Sequence, residues 1–216
     1  LREGYTPSEQ VVKDSVHRIF ESTDKRIIVA TFASNVHRIK CIMDASIAHG
    51  RRIAVSGRSM ENVVQLAKDL GYLKSIPDSA FVDIKSIANI PDSMLTILTT
   101  GSQGEPMSAL TRMATDQHRA VKLKKGDVVV FSSSPIPGNE KTVTNVVNKL
   151  YEKEVNVVLS DMMDVHVSGH ACKEELRLLH TLVRPKFFMP AHGEYRHLIE
   201  HAELAKSLGM HKKNVF

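Results

Sequence analysis

Apolar positions along this chain switch repeatedly between two rhythms. Val12, Val16, Ile19 and Phe20 recur at steps of three and four, the spacing that lines up side chains on one helix face. An amphipathic helix is therefore predicted over 7–22. Thr6 is its N-cap, Pro7 its first helical residue, and Glu9 completes a T-x-x-E capping box. The stretch 26–31 is apolar at consecutive positions, as a strand buried on both faces must be. Ser34 is then expected to cap a helix carrying Val36, Ile39, Ile42, Met43 and Ile47, which stops at Gly50.

The alternation continues with strands at 52–55, 94–98, 127–131 and 155–159, and helices at 59–70, 106–113 and 139–153. Doubly buried strands alternating with helices predict an α/β fold, a parallel sheet between two helical layers. After Leu159 the rhythm breaks. A polar loop bearing histidines (160–171) leads to a helix at 173–182, a strand at 186–189 and a last helix at 195–208. This places a domain boundary near 160–168 and divides the chain into 1–165 and 166–216. The second piece is too short for a comfortable core of its own and is expected to pack on something else.

Composition narrows the setting. No apolar run reaches the roughly 18 residues a membrane span needs, and Leu1 to Tyr5 lack the basic and apolar regions of a signal peptide. Cys41 and Cys172 give no disulfide framework, so both are read as packing residues and a reducing cytoplasm is the expected compartment. Net charge is +5 among 216 residues, compatible with a polyanionic partner. The short basic runs Arg51-Arg52, Lys122 to Lys125 and Lys212-Lys213 are read as solvated surface.

In parallel α/β sheets, ligands bind where strands end and helices begin. Four such loops are rich in hydroxyls, amides or glycine: 31–35, 56–59, 99–106 and 132–139. Each feeds a helix N-terminus, which offers unpaired N–H donors and partial positive charge to an anion such as phosphate. Helix capping accounts for one polar residue per loop. It accounts less well for three adjacent hydroxyls at Ser132, Ser133 and Ser134, or for the two glycines around Ser102-Gln103. Ser34, Asn35, Ser102, Gln103, Ser132, Ser133 and Ser134 are thus candidate phosphate contacts. No loop matches GxxxxGK[ST].

Seven of the 11 histidines fall between 160 and 216, which directs the search for chemistry to that quarter. His192, in P-A-H-G-E, follows a predicted strand and precedes a helix; it is the strongest candidate metal ligand. His166 and His170 stand four apart around Ser168-Gly169, so one can bind metal or phosphate while the other supports it. Asp161 and Asp164 are possible carboxylate contributors. His197 and His201 lack the HExxH pattern and read as solvated surface, as do the isolated His17, His37, His49 and His118. A metal site needs three or more protein ligands, and no HxHxDH cluster occurs.

Taken together, T-F-A-S-N-V-H-R-I (31–39), G-R-S-M (57–60), T-T-G-S-Q-G-E-P (99–106), S-S-S-P-I-P-G-N-E (132–140), H-V-S-G-H (166–170) and P-A-H-G-E-Y-R (190–196) resemble the ribonuclease J family. That family is a β-CASP branch of the metallo-β-lactamase fold. The resemblance implies a three-layer β-CASP domain at 1–165 and a returning, incomplete metallo-β-lactamase segment at 166–216. It also implies a zinc-dependent ribonuclease with two Zn2+ per intact site. Such an enzyme cuts single-stranded, 5′-monophosphorylated RNA internally and from the 5′ end, in RNA degradation and ribosomal RNA processing.

By motif, His170 matches a proton donor or phosphate contact and His192 a zinc ligand, while His166, Ser168 and Gly169 fall in the RNA/phosphate-binding set with the serine and glycine loops. The family's HxHxDH motif is absent, and Leu1 falls just after its motif A, so the chain reads as a fragment with no cleavage of its own. A non-catalytic RNA-binding or assembly subunit is the alternative, and a homo- or hetero-oligomer with a paralogue is expected. A Rossmann-like nucleotide-binding domain is the third reading.

Overall fold

The computed structural model describes residues 1–160 and 162–216. Among them lie six strands: β1 (Ile27–Ala30), β2 (Arg52–Ser56), β3 (Phe81–Val82), β4 (Leu95–Thr99), β5 (Val128–Phe131) and β6 (Asn156–Val158). They pair in parallel, in the order β3-β2-β4-β1-β5-β6. Successive strand residues point to opposite faces, and both faces are apolar. Ile27 and Val29 of β1 face helices α1 (Glu9–Glu21), α2 (Val36–Ala48) and α3 (Arg58–Asp69). Ile28 and Ala30 face α4 (Ala109–Ala114) and α5 (Glu140–Tyr151). The result is the three-layer α/β/α arrangement that the doubly apolar strands require.

Direction and face change together. From β1 the chain moves toward β2 and β3 by way of α2 and α3 on one face. From β4 it moves the other way, toward β5 and β6, by way of α4 and α5 on the opposite face. Adjacent strands β1 and β4 therefore form a topological switch point, where the loops at their carboxyl ends depart toward opposite faces of the sheet. The stretches 31–35 and 100–108 bound the switch point.

The amino ends of the strands are stapled by two buried arginines. Arg26 donates to both carboxylate oxygens of Asp127 (3.1 and 2.5 Å) and to the Lys122 carbonyl (2.7 Å), joining the entries of β1 and β5. Arg51, expected on the surface, is 4% exposed. It donates to the carbonyls of Thr23 (2.8 Å), Lys25 (2.9 Å) and Leu95 (3.3 Å). Its fork satisfies main-chain acceptors that the edge of the sheet would otherwise leave buried and unpaired.

Several element boundaries differ from expectation. Helix α1 begins at Glu9 rather than Pro7, and no Thr6–Glu9 capping box forms: the Thr6 amide and hydroxyl donate to Glu175, and Arg38 holds the Glu9 carboxylate. Asn35, not Ser34, caps α2: its Oδ1 accepts from the Arg38 amide at 3.0 Å. Helix α4 begins at Ala109 with Ser108 as N-cap. Strand β3, only two residues long, carries no periodic signal in the sequence. The strand expected at 186–189 is reduced to one bridge, Phe188 with Val215.

The chain divides into two compact units: Glu9–Val167, and Leu1–Ser8 together with Ser168–Phe216. The first eight residues thus belong with the C-terminal piece. Arg2 and Gly4 accept from the amides of Lys173 and Glu174, and Thr6 donates its amide (3.0 Å) and hydroxyl (2.5 Å) to Glu175. This second unit contains helices α6 (Lys173–Val183) and α7 (Tyr195–Ser207). Helix α6 has no buried residue; Leu178, Leu179, Leu182 and Val183 stay exposed. No helix of the described residues is long and apolar enough to cross a membrane.

Glycine at 104 is enforced by close approach as well as by φ. Its φ is +72°, and a Cβ there would lie 2.6 Å from the backbone of Thr142 in α5. Gly50 has φ +66° with open space around it. Gly50→Ala is expected to cost about 1 kcal/mol from backbone strain alone, and Gly104→Ala about 3 kcal/mol because overpacking adds to strain. Urea denaturation of both variants checks this, and equal costs would contradict the close-packing argument.

Candidate functional site

At the carboxyl edge of the sheet the organising side chain is Arg38, in the first turn of α2 and fully buried. Its Nε and Nη2 donate to the two carboxylate oxygens of Glu9 (2.9 and 2.6 Å). Its Nη1 donates to the Val165 carbonyl (2.9 Å), the Ser132 hydroxyl (3.0 Å) and the Ser132 carbonyl (3.3 Å). The Ser132 hydroxyl donates onward to Val165 at 2.6 Å. One guanidinium thus joins α1, α2, the loop after β5 and the segment before His166. The sequence held a signal for this: Arg38 stands four residues before Ile42, on the buried side of α2.

Gln103 organises the neighbouring loop. Its Nε2 donates to the Ser133 hydroxyl (3.2 Å) and the Ser134 carbonyl (3.0 Å), and its Oε1 accepts from the Ile136 amide (2.7 Å). Ser102, Gln103, Ser132 and Ser133 are all buried, whereas Ser34 and Ser134 are exposed and Asn35 is half-buried. The polar candidates of these loops therefore separate into an internal frame and an outward-facing set. Ser134 Oγ lies 3.2 Å from Ser160 Oγ.

His166, in the same unit, is half-buried, and its Nδ1 is shielded with no partner among the described atoms. Burial lowers its pKa, the Arg38 charge lowers it further, and Glu9 opposes both. His118 is buried rather than on the surface. Its Nδ1 accepts from the amides of Val121 (3.0 Å) and Ala120 (3.3 Å), so the Nε2 proton is donated to Ser56 Oγ at 2.9 Å. Burial, then Arg112, lowers its pKa. His17 and His49 are not isolated either, with Nδ1 and Nε2 3.1 Å apart.

In the other unit, the exposed rings of His170 and His192 stack with centroids 5.1 Å apart and planes inclined by 16°. Each stands two residues before a helix N-cap, Cys172 for α6 and Glu194 for α7. Two helix N-termini therefore begin beside one imidazole pair, and both bias the spot toward negative charge. Ser168 accepts from the His170 amide at 3.1 Å, and Gly169 is exposed with open space around it.

His197 and His201 are not solvated surface. His197 Nδ1 accepts from the Glu194 amide at 3.0 Å, completing the α7 capping box. His201 packs edge-on against Phe188 at 4.9 Å, and burial, then His180, lowers its pKa.

Asp161 lies outside the described residues, and Asp164 is exposed. Among the described residues no three His, Cys, Asp or Glu side chains converge to hold a metal ion. Zinc needs at least three protein ligands, so the described donor set does not form a zinc site by itself.

A parallel sheet between two helical layers, with polar loops framed at its switch point, makes this a three-layer α/β/α protein, the architecture consistent with a β-CASP domain. Residues 24–150 match the family model described as ribonuclease J, beta-CASP domain, and residues 154–216 that described as Zn-dependent metallo-hydrolase RNA specificity domain. The chain belongs to the ribonuclease J family. It is 46% identical over 212 residues to the ribonuclease J of Synechocystis sp., covering 98% of this chain and 33% of that protein. It is 44% identical over 215 residues to the ribonuclease J of Helicobacter pylori strain ATCC 700392 / 26695, covering 100% of this chain and 31% of the relative. With ribonuclease J2 of Bacillus subtilis the identity is 40% over 215 residues, 100% of this chain and 38% of the relative. The chain spans about a third of the length of these curated relatives.

Burial disfavours the charged form of His118 and His166 in the fold, whereas unfolding restores both to solvent. Their contribution is fully present above the ordinary value of 6.5 and is lost as pH falls below it through the lowered folded values. Urea midpoints are expected to stay flat from pH 8 to 6.5 and to drop below that. His118→Gln should flatten part of the drop, and an unchanged slope would count against a neutral buried His118.

Proposed function

We propose that this chain is the RNA-binding portion, and part of the active site, of a zinc-dependent ribonuclease that cleaves single-stranded RNA internally and from the 5′ end. The observation that carries this reading is the stacked pair His170 and His192 at the start of two helices. His192 is assigned as a metal ligand. His170 is assigned to contact the scissile phosphate and donate a proton, a role suited to an imidazole in an anion-attracting spot. Two zinc ions belong to the intact site, and the ligands missing from this chain come from the rest of a longer protein.

Glu9–Val167 is read as the β-CASP domain and the other unit as a returning piece of a metallo-β-lactamase domain. The exposed apolar stripe of α6 supports the latter, because a stripe of four large apolar residues is the mark of a face that packs elsewhere.

The burial pattern divides the phosphate-binding residues by task. Ser102, Gln103, Ser132 and Ser133 shape the loops from inside. Ser34, Asn35 and Ser134, with His166, Ser168 and Gly169, meet RNA phosphates, including a 5′-monophosphate. The intact protein works in the cytoplasm as an oligomer with itself or a paralogue.

The 216-residue chain is expected to bind 5′-monophosphorylated single-stranded RNA more tightly than 5′-hydroxyl RNA, with affinity falling as salt rises. Ser134→Ala should weaken binding about fivefold, the scale of one hydrogen bond. With zinc added, the chain alone should not cleave. Equal binding of both RNAs would remove the 5′-phosphate reading, and zinc-dependent cleavage lost in His192→Ala would refute the incomplete site.

A further inference from the structure

A hollow of about 400 Å³ lies at the carboxyl ends of β2 and β3, and no residue assigned above to RNA lines it. Ile84, Lys85, Arg112, His118, Arg119 and Ala120 line it. Lys85 stands three residues beyond β3, and His118 is tied to Ser56 at the end of β2. Its volume falls in the range of small-ligand sites, roughly 300–1,000 Å³.

Three features make this hollow unlike ordinary solvated surface. Its lining contains Lys85, Arg112 and Arg119 but no carboxylate, and among the described residues none of these cations forms an ion pair. Of the acids nearby, Asp116 is taken by Lys153, Asp83 accepts from the Lys85 amide at 2.8 Å, and Glu61 accepts from the Gly57 amide at 3.2 Å. Second, Arg112 is half-buried, and its Nε is shielded from water with no acceptor among the described residues, which leaves one donor of the guanidinium unsatisfied. Third, His118 can supply neither charge nor a free donor there. Its Nδ1 is filled by two amides and its Nε2 proton goes to Ser56, so it acts as a fixed neutral wall. Ile84 and Ala120 make the remaining wall apolar.

Three unneutralised cations around one concavity raise the local concentration of anions, and guanidinium forks match the oxygens of a phosphate in pairs. We propose that this hollow is a second phosphate-binding site, separate from the loops at the β1/β4 switch point. The phosphate is carried by a small anion such as inorganic phosphate or a mononucleotide, or by the backbone of RNA. The inference goes beyond the proposed function and stands without it, since inorganic phosphate alone tests it.

The test follows the Arg112 Nε–H signal and the Ala120 and Val121 amides by two-dimensional ¹H–¹⁵N NMR. The chain is titrated with inorganic phosphate and, separately, with an eight-nucleotide single-stranded RNA. The expected result is saturable movement of these signals, weakened about fivefold or more in Lys85→Gln/Arg119→Gln. Both residues are exposed, and unchanged signals in the rest of the spectrum confirm the fold. RNA that moves the same signals and is displaced by phosphate identifies the RNA backbone as the source. RNA that leaves them still while phosphate moves them identifies a small anion. No saturable movement with either ligand, or equal affinity in the double variant, overturns the proposal. Loss of RNA binding with the phosphate response intact would count against the switch-point loops and leave this site standing.

Discussion

The carboxyl edge of the sheet depends on one buried cation. Arg38 is fully enclosed, and its contacts gather α1, α2, the loop after β5 and the segment ending at Val165 around one planar group. The Glu9 carboxylate is 35% exposed, so solvent weakens that ion pair. The oxygens of Ser132 and Val165 lie in the interior and do more of the holding, because a buried guanidinium left without acceptors costs several kcal/mol. Burying an arginine is tolerable here only because its fork finds oxygens in two directions. The same geometry fixes Ser132 and Val165, and with them the neighbours Ser134 and His166.

Arginine performs the complementary task at the opposite edge. Arg26 and Arg51 satisfy the carbonyls and the carboxylate where strands enter the sheet, so both edges are locked by polar contacts around an apolar interior. Such a frame is stiff where the strands lie and leaves the outer parts of the loops free to face a ligand. Ser134 and Ser34 stay exposed while Ser132, Ser133 and Gln103 are spent inside. A run of three serines thus serves two purposes, because successive side chains leave a turning chain in different directions.

The second unit has a different balance. Few of its apolar residues are buried, with Cys172, Ala202, Leu204 and Ala205 the main ones among the described residues, while α6 shows its leucines to solvent. Its local structure comes from capping. The Glu175 carboxylate accepts hydrogen bonds from the Thr6 hydroxyl and the Cys172 amide, and the Thr6 hydroxyl is the first cause of its lowered pKa. Glu194 and His197 cap α7 in the same reciprocal way. Both caps lie beside the His170 and His192 pair, so the polar work of starting the helices also sets the place of the imidazoles.

The sequence by itself determined the α/β class, most helices and strands, and the family, because burial on both faces of a strand leaves a continuous apolar run and because His-bearing motifs such as H-V-S-G-H are local strings. It also marked His170 and His192. What it left open follows from side chains whose partners are distant in the chain: Arg38 reaches Val165 across 127 positions, and His118 reaches Ser56 across 62. Read locally, an arginine or histidine is a surface residue, since leaving water costs too much without a partner. Only the tertiary structure supplies the partner, and so only it decided that Arg38, Arg51 and His118 are inside, that Glu9 pairs instead of capping, and that Leu1–Ser8 folds with the C-terminal piece.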